Sequence, residues 1–248
     1  PHTSGRMVNS IVIENDFQDT AIAAEINTTP LEQLSKDDIL HSIREAGIVG
    51  MGGNNTEVAI RECYNTGAIT GNGKVGGIAG QIGGTTPQGN TSINIFMTVE
   101  DCYNTGNVAA VGSSGNMGGL VGYLYNADSA IIDSYNIGTV TPSGNYAAYI
   151  GGIAGRSSGT VQNSFYLTGC AKDGKNKVQF GIGNNKYGSS TADVAGATTG
   201  VTAEVFASGE VTYLLNGSTS AGELVWKQTI GTDAAPKFEG AVVYYHSA

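Results

Sequence analysis

The chain predicts an all-β protein, a β-solenoid of stacked repeats with a small C-terminal capping segment that contains one short helix and strands. Three observations carry this reading. A pentapeptide, Cys63-Tyr64-Asn65-Thr66-Gly67, returns as Cys102-Tyr103-Asn104-Thr105-Gly106, then as Ser134-Tyr135-Asn136-Ile137-Gly138, and faintly as Ser164-Phe165-Tyr166. A second phrase, Gly76-Gly77-Ile78-Ala79-Gly80, alternates with it and recurs as Gly118-Gly119-Leu120-Val121-Gly122 and Gly151-Gly152-Ile153-Ala154-Gly155, with Ala46-Gly47-Ile48-Val49-Gly50 reading as an earlier copy. Self-similarity at roughly 30 to 40 residues marks units that cannot bury a core alone and must stack on their neighbours. The third observation is glycine itself. It supplies 38 of 248 residues, without a three-residue period, and its fixed places in the phrases mark tight corners and close backbone approach.

In chain order, residues 1–43 read as an N-terminal cap or leader, partly of foreign origin at its first six residues, in a chain that looks excised from a longer one. Ile11-Val12-Ile13 and Ala21-Ile22-Ala23 suit strands there, and Leu31, Leu34, Ile39 and Ile43 loosely share one helix face. Residues 44–170 form the repeat array. Each unit carries an apolar residue before the Cys/Ser position (Ile60, Val99, Ile131, Val161) and another after it (Ile69, Val108, Val140, Cys170). Strict alternation would put the first set on the same face as Glu62, Asp101, Asp133 and Asn163, so a corner or bulge is expected there. The stretch from Gln81 to Ile95, rich in Gly, Thr, Asn and Gln, reads as a projecting loop.

Residues 171–248 complete the chain as a loop followed by the capping segment. Gly181-Ile182-Gly183 and Gly188-Ser189-Ser190 are loop signals. Thr202 to Gly217 offers a threonine N-cap, an apolar face and an Asn-Gly stop, a short helix. Val225–Ile230 and Ala241–Tyr245 follow as strands. A cap of this kind would cover the open last edge of the array.

Composition excludes several functions. With 13% charged residues and a formal net charge of −9, phosphate backbones and anionic membrane surfaces are repelled, so nucleic acid is not an expected partner. No apolar run approaches the ~20 residues of a membrane helix. The histidines His2, His41 and His246 form no zinc motif, and the glycine phrases lack the Lys-Ser/Thr ending of a phosphate loop. Cys63, Cys102 and Cys170 contain no Cys-x-x-Cys pair. Cys63 and Cys102 read either as stacked interior thiols or as a disulfide between adjacent units, if their Cα atoms come within about 4.4–6.8 Å.

Three repeated positions are candidates for chemistry. Asn65, Asn104 and Asn136 suit hydrogen bonding along the stacking axis. Tyr64, Tyr103 and Tyr135, followed by Phe165, form an aromatic ladder: a sugar-stacking platform if exposed, core if buried. Glu62, Asp101 and Asp133 form an acidic column that must be solvated, splayed by corners, partly protonated or bridged by a cation. Calcium would suit its oxygens, although no Asp-x-Asp-x-Asp-Gly loop is present. Stacked carboxylates also line the clefts of β-helix glycosidases and lyases.

The succession Cys-Tyr-Asn-Thr-Gly, a short link, then Val-Gly-Gly-Ile-Ala-Gly resembles the GLUG repeat of secreted and wall-attached bacterial proteins. Tyr213-Leu214-Leu215-Asn216, followed by Trp226-Lys227-Gln228-Thr229-Ile230-Gly231-Thr232-Asp233 and Pro236, is similar to the segment that closes such arrays in gut Firmicutes and Bacteroidetes. The resemblance implies a β-solenoid, an extracellular address and residence in adhesin-like proteins or immunoglobulin A peptidases. It implies no catalytic residues. Ser164-Phe165 departs from the pattern, so the array is expected to end there. The resulting expectation is a non-catalytic, cell-surface or secreted module that binds host or microbial glycans or glycoproteins, with Tyr64, Tyr103, Tyr135, Glu62, Asp101 and Asp133 as its surface and no cofactor. The alternatives are a stiff spacer in a larger secreted protein such as an immunoglobulin A peptidase, and a β-helix enzyme acting on polysaccharide.

Overall fold

The computed structural model describes residues 57–88, 91–112, 114–142, 147–185, 188–189 and 192–243. The expectations for residues 1–43, the phrase at 46–50 and Tyr244-Tyr245 lie outside them. The described chain is all-β apart from two short helices. Its strands are short because the repeats put a corner every few residues, and they gather into five sheets that the chain visits in the same order in each repeat. The first sheet holds Glu57–Arg61, Thr91–Glu100, Ala130–Ile132 and Thr160–Gln162. The second holds Tyr64–Asn65, Tyr103–Asn104, Tyr135–Asn136, Ser164–Leu167 and Thr198–Val201. Ile69–Gly71, Val108–Ala110 and Val140–Pro142 make the third. Lys74–Gly76, Ser114–Gly118 and Ala147–Gly151 make the fourth, and Ala79–Ile82, Val121–Leu124, Ala154–Ser157 and Ile182–Asn185 the fifth. Pairing between successive repeats is parallel throughout, so each repeat adds one rung to every sheet.

Parallel, in-register stacking places like residues over like. Ile60, Val99, Ile131 and Val161 form one buried column, and Ile69, Val108 and Val140 another. In the second column the fourth position falls one residue later than expected: Ala171, not Cys170, bridges Val140. Each fully buried aliphatic side chain contributes about 1.5–3 kcal/mol. The expected corner is present in all four copies. Glu62, Asp101, Asp133 and Asn163 take φ of 52°, 51°, 46° and 43°, a left-handed turn that Asp and Asn tolerate better than most residues. It rotates the chain between the first and second sheets, so that apolar residues on both sides of the acidic position point inward.

The Asn position explains both repeated phrases at once. Asn65 Nδ2 donates to Asn104 Oδ1 at 2.7 Å, and Asn104 Nδ2 to Asn136 Oδ1 at 2.7 Å. Each amide also clasps its own turn: Asn104 Nδ2 donates to the Gly106 carbonyl, and the Gly106 N–H donates back to Asn104 Oδ1. A Cβ on Gly106 would lie 1.9 Å from the Gly67 carbonyl oxygen, and one on Gly138 would lie 1.9 Å from that of Gly106. Across the interior, a Cβ on Gly77 would meet the Asn104 carboxamide at 2.4 Å, and one on Gly119 that of Asn136 at 2.3 Å. The two phrases recur together because they face one another.

Several elements differ from expectation. The segment after Gln81 is a β-hairpin, not a loop: Gly84–Gln88 pairs antiparallel with Thr91–Ile95. Its Thr and Ile residues favour extended backbone, and the register runs from Gly84 opposite Ile95 to Gln88 opposite Thr91. The array does not end near residue 170, since Ile182–Asn185 adds to the fifth sheet and Thr198–Val201 to the second. The Gly181-Ile182-Gly183 signal is a rung contact, the Gly181 carbonyl accepting from Ile153 and Ala154 N–H. The expected helix is split into α1 (Ala203–Ser208) and α2 (Glu210–Leu215) by Gly209 at φ 91°. Val225–Ile230 forms no strand beyond a single antiparallel bridge between Lys227 and Lys237, and Ala241–Val243 is not a strand. The alternation at Trp226 and Gln228 is nevertheless real, both being fully buried. Gln228 is held by Thr212, Phe206 and Asp233 instead of by a neighbouring strand.

Asn104→Ala removes the middle of the axial relay and leaves buried donors and acceptors unmatched on both sides, for an expected loss of about 3 kcal/mol in urea unfolding. A loss below about 1 kcal/mol would show that the relay is not a main support of the stack.

Candidate functional site

Of the residues expected to form a surface, only part is exposed. The tyrosines point outward from the second sheet and stack in a ladder, with Tyr64 and Tyr103 centroids 4.9 Å apart and Tyr103 and Tyr135 centroids 5.1 Å apart, planes within 5°. The C-terminal segment then covers them. Trp226 lies 6.0 Å from Tyr103 and 5.5 Å from Tyr135, Phe206 lies 5.4 Å from Tyr135, and the Tyr135 hydroxyl donates to the Pro236 carbonyl. Tyr103, Tyr135 and Phe165 are therefore core, in a second apolar cluster with Phe206, Val211, Leu215 and Trp226. Tyr64, 59% exposed, lies at the edge of the cover, its ring centroid 6.2 Å from that of Phe238. The segment caps a face of the array, where it had been expected to cover the last edge.

The acidic column is also drawn into structure. The Trp226 indole donates to Asp101 Oδ1 at 2.9 Å, and Asn163 Nδ2 to Asp133 Oδ1 at 2.6 Å. Burial pushes the Asp101 carboxyl up to about 6, opposed by the indole hydrogen bond and reinforced by the negative charges of Asp133, Glu100 and Glu62. Burial likewise raises Asp133, against the Asn163 hydrogen bond. Each aspartate of the column thus has its own donor. Among the described residues no group of three or more His, Cys, Asp or Glu side chains could hold a metal ion.

The cysteines are thiols. Cys102 donates to the carbonyls of Glu100 and Ile60, and its neighbour Cys63 together with burial holds it well above the ordinary thiol range. Burial pushes Cys170 up to about 12. Neither buried thiol is poised as a nucleophile. Sequence reasoning also missed Asp193, which accepts from the Tyr166 hydroxyl, the Thr198 hydroxyl and the N–H groups of Gly181 and Gly200. It ties the segment after residue 171 to the last rungs.

An exposed arrangement lies elsewhere, on the outer faces of the fourth and fifth sheets. Lys74, Asn116 and Tyr149 occupy one row across the fourth sheet. Gln81, Tyr123, Arg156 and Asn184 occupy one row across the fifth. Lys74 Nζ sits 5.6 Å from the Tyr123 ring centroid and Arg156 Cζ 5.1 Å, one cation from each neighbouring rung. Tyr125 meets Tyr123 edge-on at 5.4 Å, and Lys74 Nζ donates to Gln81 Oε1 at 2.5 Å. Tyr149 and Tyr125 are exposed. The signal was available in the spacing: Lys74/Gln81, Asn116/Tyr123 and Tyr149/Arg156 flank each glycine phrase at the same interval. Those residue types differ between copies, so repetition alone did not draw attention to them.

No known protein-family profile matches this chain, and no curated protein does. Among solved structures, it is similar to a candidate immunoglobulin A1 protease of Bacteroides ovatus, with 19% identity and a TM-score of 0.45 over 76% of this chain. The match spans 61% of that protein's chain.

Folded Asp101 keeps its proton to higher pH than the unfolded chain does, so its contribution favours folding fully below the usual carboxylate range near 4 and is lost as pH rises through about 6. Asp101→Asn keeps the left-handed corner and an acceptor for Trp226. Discounted for partial exposure, the variant gains about 1 kcal/mol at pH 8 and nothing at pH 4. Thermal unfolding of both proteins at the two pH values measures this, and a gain of equal size at pH 4 would exclude ionisation as its cause.

Proposed function

We propose that the chain is a β-solenoid of GLUG-type repeats, a non-catalytic module of an extracellular bacterial protein that binds glycans or glycoproteins along its side. One observation supports this above the others: the stack repeats outward-facing positions at a single strand spacing, and on the fourth and fifth sheets those positions carry tyrosines, amides and cations. Aromatic faces beside amide and cationic donors suit sugar rings and their hydroxyl groups. Asp101 and Asp133 of the expected surface are engaged with Trp226 and Asn163, which argues against the carboxylate column as an enzyme's acid and base. The domain reading accompanies this proposal: a leader in residues 1–43, repeats from 44, and a C-terminal cap.

A second reading is a stiff spacer within a larger secreted protein. The axial asparagine relay favours it, since the rungs of Asn65, Asn104 and Asn136 are hydrogen-bonded to one another through the interior as well as through their sheets.

Binding of the purified chain to an array of mucin, plant and bacterial glycans tests the first reading. Saturable binding to a defined set is expected, unchanged by chelation of calcium. An array without any binder, together with loss of function of a parent protein only on shortening the repeats, would establish the spacer instead.

A further inference from the structure

We infer that the outer faces of the fourth and fifth sheets form a binding site for sugars that carry a carboxylate, with Lys74, Tyr123 and Arg156 at its centre. This rests on the glycan-binding reading and deepens it to a ligand class and a place.

The molecule as a whole is acidic, with a net charge of −9. A site for an anion must therefore be built locally. Lys74 and Arg156 approach Tyr123 from the rungs on either side, and neither has a carboxylate partner among the described residues, whose ion pairs join Arg61 to Glu100 and Lys237 to Asp233. Two cations thus flank the Tyr123 ring, 5.6 Å and 5.1 Å from its centroid, without a counter-charge of their own. A carboxylate arriving there would complete the set, and the guanidinium fork fits a carboxylate's two oxygens.

The surroundings select a sugar over a simple anion. Tyr125 adds exposed aromatic surface beside Tyr123, and Tyr149 stands exposed in the row on the fourth sheet, where a pyranose face can stack. Asn116, in the row of Lys74, offers an amide donor and acceptor for hydroxyls, and Gln81 holds the Lys74 ammonium in place. Strand spacing places successive rows ~4.8 Å apart, so three rungs give a tract long enough for a short oligosaccharide. Each row also lies on a rigid base. Lys74 and Gln81 flank one glycine corner, Asn116 and Tyr123 the next, Tyr149 and Arg156 the third, and at these corners the backbones are in direct contact: a Cβ on Gly118 would lie 2.0 Å from the Val121 carbonyl oxygen.

The test is titration calorimetry of the full chain with an oligogalacturonate, with its methyl ester, with sialyllactose and with lactose. The acid sugars bind and weaken with added salt. The ester and lactose bind at least about tenfold more weakly, as expected for loss of a charge-assisted hydrogen bond. Lys74→Gln and Arg156→Gln each cost roughly tenfold in affinity, while Lys172→Gln, outside the two rows, changes nothing. Tyr123→Ala removes binding, and Tyr123→Leu serves as the volume-conserving check should the alanine variant fail to fold. Preference between the uronate and the sialoside identifies the source of the acid sugar.

Equal binding of the acid and its ester, or affinity indifferent to Arg156→Gln, overturns this site while leaving the glycan-binding reading intact. Equal binding of a sulfated polysaccharide reduces the patch to a general anion contact and overturns the carboxylate assignment. Absence of binding to every glycan, acid or neutral, fells both.

Discussion

Asn65, Asn104 and Asn136 stand in one hydrogen-bonded file through the interior, and that file leaves no room for a side chain at Gly77 and Gly119, the second glycines of the phrases opposite. A carboxamide is one of few groups that can satisfy this position. It donates forward to the next rung and down to its own turn while accepting from the rung behind and from that turn's N–H. Asn104 is used on every side, which is the condition under which buried polar groups stabilise instead of costing free energy.

The outward side of the same strands solves a different problem. A ladder of tyrosines facing water would leave a long apolar strip exposed, and the chain covers it with its own C-terminal segment. Trp226 anchors that cover twice, through ring contacts with the tyrosines and through its indole hydrogen bond to Asp101. The acidic corner thus has two roles: it turns the backbone, and it receives the cap. The cost is a carboxylate held partly out of water, visible in the raised Asp101.

Much of this was legible beforehand because repetition converts spacing into register. The columns headed by Ile60 and Ile69, the corner at Glu62 and the axial use of asparagine all follow from aligning the copies. Where copies stop resembling one another, legibility stops. Thr198–Val201 and Ile182–Asn185 continue the sheets without the Tyr-Asn phrase, because backbone pairing needs only extended geometry and glycine where rungs touch. The sequence reads the tyrosine ladder as platform or core, and what decides is Trp226, 123 residues beyond Tyr103 and 91 beyond Tyr135. The row at Lys74, Tyr123 and Arg156 escaped notice for the opposite reason: its position repeats but its chemistry does not.

Comparing equivalent residues shows where this architecture absorbs change. The steps from Val75 to Ala79, Met117 to Val121 and Ile150 to Ala154 are identical in length, as are those from Ile60 to Tyr64, Val99 to Tyr103 and Ile131 to Tyr135. The steps from Ala79 to Val99, Val121 to Ile131 and Ala154 to Val161 shrink steadily, and those from the third sheet to the fourth also differ. Insertions and deletions therefore enter at two seams, and the hairpin after Ile82 is one such insertion. A lineage can lengthen, trim or exchange what it displays at those seams while the register of every other corner stays unchanged. Diversification of the exterior is thereby uncoupled from the requirement to fold.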